Sequence, residues 1–372
     1  MVLFGPKCYT SSSNKYIKVV TLKKALPKIK VIDFFCGCGG TSAGLKQSGM
    51  QIVAGVDIDS NALATYSHNF PRAHIFNKSI SDITFEELSI AINAYKESPI
   101  LFAACAPCQP FSAQNRLKKV TDERISLLGE FHRFIDHFEP DYIILENVPG
   151  IQSVENGPFT RFLEFLDEKI YEYDFAIKNA LDYGVPQSRK RLVLIASKKV
   201  ISLPEETHGL NKKPHKTLRE TIEKYPKLSA GEICGSVANH SSASLKEITL
   251  NRLKHTPEGG DRRNWPDELW LECHKNHIGH RDVYGRLSWD KPSVTLTTKC
   301  VSISNGRFGH PEQDRALSVR EAAALQSFKD DFVFIGSTRD TAKQVGNAVP
   351  VDFAKALGDQ VIKHMKEINN NG

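Results

Sequence analysis

One stretch, Ala106-Pro107-Cys108-Gln109-Pro110-Phe111-Ser112, holds a cysteine between two prolines. Proline on either side excludes helix, so the Cys108 thiol belongs to a stiff loop. A thiol held this way can act as a nucleophile through its thiolate. Two other readings stay open on these residues alone: a buried packing thiol, and redox chemistry through Cys105-Ala106-Pro107-Cys108, formally C-x-x-C. Three further groups could do chemistry. Glu146, followed by Asn147, Val148, Pro149 and Gly150, places a carboxylate at a strand end beside a turn, suited to acid chemistry or to capping. Arg189 and Arg191, two apart on an extended segment, share a face and could converge on one anion, or form a solvated edge. Cys36-Gly37-Cys38-Gly39-Gly40, with Asp57 twenty residues beyond Gly37, suits a ligand carrying a ribose. Its spacing departs from G-x-G-x-x-G, which favours a nucleotide-containing ligand other than NAD. A fourth group, Cys273-His274-x-x-His277-x-x-His280, lacks a second ligand pair, and no metal is expected.

The elements that must position these groups follow from hydrophobic patterning. Strands are expected over 31–35, 51–56, 74–76, 99–104, 142–145, 173–177 and 192–196. Helices are expected over 41–48, 60–69, 84–95, 122–138 and 159–170. Strands alternating with helices to about residue 198 predict an α/β, doubly wound sheet. Cys108 and Glu146 then both follow the carboxyl ends of strands, where such sheets bind ligands. Residues 200–314 change texture, with short uneven segments, all three tryptophans, and 17 basic against 15 acidic residues. Shaped loops and base-edge contacts, not bulk charge, are what this region offers. Helix resumes over 319–327, and Gln344-Val345-Gly346-Asn347-Ala348-Val349-Pro350 precedes a last helix, 351–366. The chain divides into a basic arm 1–29, a catalytic and cofactor domain 30–199, a smaller irregular region 200–314 and a returning segment 315–372.

Composition sets the outer limits. A length of 372 residues, 40% hydrophobic and 25% charged, suits a globular protein with a sizeable core. The net charge of +6 permits a polyanionic partner. Eight cysteines without framework spacing point to a reducing compartment. With no apolar run of membrane length and no signal-peptide pattern, a cytoplasmic protein without membrane contact is expected.

With these residues in hand, the chain resembles the DNA (cytosine-5) methyltransferases over about Val31 to Met365. The ordered motifs are Asp33-Phe34-Phe35-Cys36-Gly37-Cys38-Gly39-Gly40, the Pro107-Cys108-Gln109 loop, Glu146-Asn147-Val148, Gln187-x-Arg189-x-Arg191 and Gln344-Val345-Gly346-Asn347, with a variable region between the fourth and fifth. The resemblance implies a Rossmann-like S-adenosylmethionine-dependent methyltransferase sheet with a smaller target-recognition domain. Its last segment would pack back onto the sheet.

The resemblance also implies roles. Cys108 would add to C6 of a cytosine, Glu146 would supply the acid at N3, and Asn147 would fix that carboxyl group. Arg191 would hold the cytosine carbonyl, with Arg189 nearby on phosphate or loop. The target would be flipped from the duplex under a lid, Gln109 to about Thr121, basic at Arg116, Lys118 and Lys119. Phe35, Gly37, Cys38 and Gly40 would line the methionine side of S-adenosylmethionine, with Asp57 on the ribose. Ile58 would pack on adenine and Asp82 accept from its amino group, beside Ile83. Pro107, Asn347 and Ala348 would complete the pocket, which releases S-adenosylhomocysteine. Cys36, Cys38 and Cys105 read as packing thiols, which demotes the redox alternative. Double-stranded DNA is the expected partner, the chain a monomer in the bacterial nucleoid, and a restriction endonuclease sharing the target sequence is the partner the resemblance allows for. A tRNA-directed member of the family is the nearest rival, disfavoured because no Cys-Phe-Thr tripeptide occurs in the variable region. A homologue that binds without catalysis is the other.

Overall fold

The computed structural model describes residues 27–93, 98–106, 127–275, 279 and 282–371. Pro107, Cys108, the lid and the basic arm to Leu26 lie outside them, as do His277 and His280.

Seven strands form one sheet in the order β3-β2-β1-β4-β5-β7-β6. They are β1 (Lys30–Phe34), β2 (Gln51–Asp57), β3 (His74–Asn77), β4 (Ile100–Ala104), β5 (Tyr142–Asn147), β6 (Glu172–Asn179) and β7 (Lys190–Ser197). Strands β1 to β5 pair in parallel, and β7 runs antiparallel between β5 and β6. The chain turns from β2 on one side of β1 to β4 on the other. A crevice opens at such a switch point, outside the carboxyl ends of the strands.

Strand alternation sorts the apolar side chains into two cores. Ile32, Phe34, Phe102, Ile143, Leu145 and Leu194 face one way. There they meet α3 (Phe85–Asn93), α4 (Leu127–Phe138) and α5 (Pro158–Glu168). Helix α4 presents Leu128, Phe131, Phe134 and Ile135 at helical spacing, and Phe34 packs edge-on against Phe131 at 5.1 Å.

Val31, Leu101, Ala103, Ile144 and Val193 face the other way. Their cover is α1 (Gly40–Gln47), α2 (Ser60–Asn69) and the C-terminal helices. Those later helices are α6 (Leu218–Ile222), α9 (Val319–Leu325), α10 (Thr338–Asn347) and α11 (Val351–Asn371), whereas α7 (Glu247–Lys254) and α8 (Glu272–Lys275) lie outside this core. Helix α11 runs past Lys366 and lies along α1, where Gly44 and Gly358 leave no room for a Cβ. The chain therefore returns from its end to the first helix of the sheet. This second core also takes in Leu218, Trp289, Leu296 and Phe308, so the irregular region shares its apolar interior with the sheet.

Among the described residues, no helix is long and apolar enough to cross a membrane, and no cluster of three or more side chains suited to a metal occurs.

Candidate active site

The glycine-rich loop leaves β1 through left-handed backbone at Phe35 (φ 59°), Gly37 (φ 52°) and Gly39 (φ 97°). A bulky residue at positive φ is strained, and Phe35 is held there by the bond from Cys36 N to Val56 O, 3.0 Å. Gly37 borders open space, since a Cβ there would meet no heavy atom within 4 Å. Gly40 is the opposite case, because a Cβ would overlap the carbonyl oxygen of Val349. The backbone thus comes close to Ala348 and Val349 on one side and stays open on the other.

Two carboxylates underlie this loop. Asp57, at the end of β2, accepts from Gly37 N at 2.8 Å and from Asp59 N at 2.9 Å. Each oxygen keeps a lone pair for a further donor. Burial raises its pKa against the pull of those two amides. Asp33 accepts from Ser42 N (3.1 Å) and Ser42 Oγ (2.6 Å) through Oδ2, while buried Oδ1 has no hydrogen-bond partner among the described residues. Burial pushes the Asp33 carboxyl up to about 7, the bonds from Ser42 oppose it, and the Asp57 charge adds to it.

Three other expected pocket residues are exposed. Ile58 is 72% exposed directly after Asp57. Asp82 is exposed in a single 3₁₀ turn, Ile80–Asp82. Asn347 is exposed at the end of α10, followed by buried Ala348. The Cys38 thiol is buried and faces Gln344 O at 3.6 Å, as expected of a packing thiol. Ile83 packs its side chain into the core beneath the sheet. Burial raises the pKa of both loop thiols, that of Cys38 to about 12.

The second group gathers where β4 and β5 end and the antiparallel β7 begins. Glu146, 5% exposed, has Oε1 at 2.9 Å from Arg191 Nε, with no N–H of the described residues aligned on that oxygen. The contact is an ion pair more than a directed hydrogen bond. Its Oε2 accepts from Cys105 Sγ at 2.9 Å. Cys108 follows three positions later in the chain, outside the described residues.

Three expectations need correction here. Asn147 does not reach the Glu146 carboxyl group: its Nδ2 donates to Ala106 O (3.3 Å) and its Oδ1 accepts from Val148 N (2.8 Å). Both residues are in β5, and successive strand side chains point to opposite faces. Arg189 does not converge with Arg191 on an anion. It is buried before β7 begins, where strand alternation does not apply, and donates to Leu296 O (3.1 Å) and Gly346 O (3.4 Å). Cys105 is not apolar filling, because its thiol is a polar partner of Glu146.

Sequence reasoning missed the polar frame that joins the motifs. Gln187 donates to Gln326 Oε1 (2.9 Å) and accepts from Leu296 N (2.9 Å). Gln326 donates to Val345 O (2.8 Å) and Ala348 O (3.2 Å). Gln344 is tied to Thr65 Oγ1 at 2.7 Å. Beneath α9, fully buried Arg315 holds Glu321 in two bonds of 2.7 Å each. One signal was available: Ser318 and Glu321 form a capping box, legible as S-x-x-E before an apolar run.

Comparison with known proteins agrees with this arrangement. The family model for C-5 cytosine-specific DNA methylase matches residues 29–363. The Type II methylase M.HgiDII of Herpetosiphon aurantiacus is 40% identical over 344 residues, 90% of this chain and 94% of that protein. The Type II methyltransferase M1.HphI of Haemophilus parahaemolyticus is 34% identical, covering 89% of this chain and 86% of its own. Among solved structures, the Dnmt2 methyltransferase of S. pombe superposes with a TM-score of 0.63 at 17% identity, over 91% of this chain and 99% of that one. A prophage-encoded chain of E. coli, assigned as a DNA modification methyltransferase, superposes with a TM-score of 0.73 at 22% identity, over 91% of this chain and 100% of its own. This chain belongs to the C-5 cytosine-specific DNA methylases, enzymes that methylate cytosine in DNA at C5.

Proposed function

We propose that this chain methylates C5 of a cytosine flipped out of a short duplex sequence, through a covalent bond between Cys108 and C6. One observation carries the reading. Glu146 and Arg191 meet at 2.9 Å, largely buried, at the end of the sheet where β4 hands the chain on toward Cys108.

Cytosine C5 is a poor nucleophile. Attack of the Cys108 thiolate forms an S–C6 bond and moves the C5–C6 π pair toward C5, once Glu146 protonates or hydrogen-bonds N3. Arg191 holds the ring carbonyl and keeps the carboxyl group in place. After C5 is alkylated, loss of its proton lets the pair re-form the double bond and expels Cys108. S-adenosylmethionine, when bound, supplies an electrophilic methyl group and leaves as S-adenosylhomocysteine. The residues present fit it: an open backbone at Gly37, lone pairs on Asp57, the Oδ1 of Asp33 left unpartnered among the described residues, and the exposed apolar Ile58. Asp82, Ile83 through its main chain, Phe35, Gly40, Pro107, Asn347 and Ala348 complete that pocket.

Residues 200–314 read the target, 315–372 close the catalytic domain, and the segment from Gln109 to Thr121 covers the flipped base. Relatives described as Type II methyltransferases support a restriction endonuclease sharing the target sequence. The test is transfer of labelled methyl from S-adenosylmethionine to duplex DNA and to tRNA, by the wild type and Cys108→Ser. Label in DNA alone, lost in the variant, is expected. Label in tRNA alone, or label that survives Cys108→Ser, contradicts the reading.

A further inference from the structure

The Cys105 thiol lies 2.9 Å from Glu146 Oε2, and the sheet register puts it there. Strands β4 and β5 pair in parallel with Ala104 opposite Leu145. One step further sets Cys105 opposite Glu146, and the bond from Cys105 N to Phe34 O (3.3 Å) holds the backbone in line beyond the strand. The carboxyl group is thereby gripped from both sides, by Arg191 from β7 on Oε1 and by Cys105 from β4 on Oε2. The small cavity beside it adds no second charge from the described residues, being walled by Thr41, Ala104, Ile144, Val349 and Leu357.

We propose that Cys105 is a positioning residue for Glu146, fixing the rotamer of the carboxyl group until the base arrives. This rests on the reading of Glu146 as the acid at N3. A thiol is a weak donor, but it donates here to a buried carboxylate whose second oxygen already faces a guanidinium. Packing alone would make alanine and serine equivalent at this position. Donation makes them different, because serine keeps an O–H and alanine does not.

The experiment compares Cys105→Ala, Cys105→Ser and Glu146→Gln with the wild type in methyl transfer to DNA. Cys105→Ala is expected to lose about tenfold in kcat at unchanged KM for S-adenosylmethionine, less than the loss of a general acid itself, since Glu146 remains. Cys105→Ser should keep the rate within a factor of about three, since it retains the donor. Equal behaviour of the alanine and serine variants overturns the proposal. An infrared difference spectrum, wild type minus Cys105→Ala, reads the same contact without turnover. It should show an S–H band shifted down from that of a free thiol, and the shift should relax in the Glu146→Gln background. A band at the free-thiol position contradicts the proposal even where the variants are inactive. Full activity in Glu146→Gln is a different failure: it refutes the role of Glu146 itself, whatever Cys105 does.

Discussion

Glu146 Oε1 and Arg191 Nε lie 2.9 Å apart across the antiparallel strands β5 and β7, with side chains 6% and 14% exposed. Neither residue is a neighbour of the other in sequence, and the register pairs Glu146 with Val193. The reach of the guanidinium closes the diagonal. A pair this buried does not stabilise a fold efficiently, because desolvation offsets much of its attraction. Its place at the mouth of the crevice is better explained by chemistry than by stability.

The two arginines of the fourth motif should therefore separate in their effects. Arg189→Met strands the carbonyls of Leu296 and Gly346, buried groups that each cost about 1–3 kcal/mol when unsatisfied. Thermal melting should show a clear loss of stability. Arg191→Met strands the exposed carbonyl of Lys190 rather than buried ones, so its Tm should fall less than that of Arg189→Met while methyl transfer falls by about 100-fold or more. A stable but inactive Arg189→Met would contradict the separation.

Asp57 offers another test. Asp57→Ala removes the acceptor of Gly37 N and Asp59 N, and with it the order of the loop. Hydrogen bonds to a charged group contribute about 1.5–3 kcal/mol, so calorimetry should find S-adenosylmethionine bound about 10- to 100-fold more weakly. Unchanged affinity would remove Asp57 from the cofactor site.

Two glycines should answer the same substitution with opposite signs. A Cβ at Gly346 would overlap the carbonyl of Thr297, the backbone that Arg189 and Gln187 help to hold. Gly346→Ala should cost at least about 1–3 kcal/mol and reduce folded yield. Gly129 is exposed on α4, and a Cβ there meets nothing within 4 Å. Gly129→Ala should stabilise by about 0.5–1 kcal/mol through helix propensity. Melting curves of both variants decide the point.

Asp33 should leave a signature in the pH dependence of stability. Its carboxyl is raised from 3.8 to about 7 in the folded protein, chiefly by burial. The folded state thus holds a proton that the unfolded chain releases. The contribution is fully present below about pH 4 and is lost as pH rises toward 7, by up to about 1.4 kcal/mol per pH unit. Asp33→Asn lacks this proton, so its Tm should gain on the wild type between pH 4 and 7 and then run parallel. Curves parallel throughout would refute the shift.

How far the sequence carries is visible in particular residues. The strands were legible because buried parallel strands are short apolar runs, and Glu146 and Asp57 announce themselves at strand ends. The pairing of Glu146 with Arg191 was within reach once both were placed at one site. Asn147 and Arg189 were misread for a common reason. Side-chain direction depends on where a strand begins and ends: β5 runs on through Asn147, and β7 begins one residue after Arg189. The thiol at Cys105 meets Glu146 only through the register of β4 on β5, which no local pattern encodes. The bond between Gln187 and Gln326 was invisible for the same cause, since a buried amide in sequence looks like a surface one.

The most direct measurement is cytosine-conversion sequencing of DNA from a methylation-free bacterial host expressing this chain, beside a host expressing Cys108→Ser. Cytosines protected within one short sequence, and unprotected in the variant, are the predicted result. Protection that persists in Cys108→Ser, or none from a folded wild-type protein, would contradict methylation of DNA through Cys108.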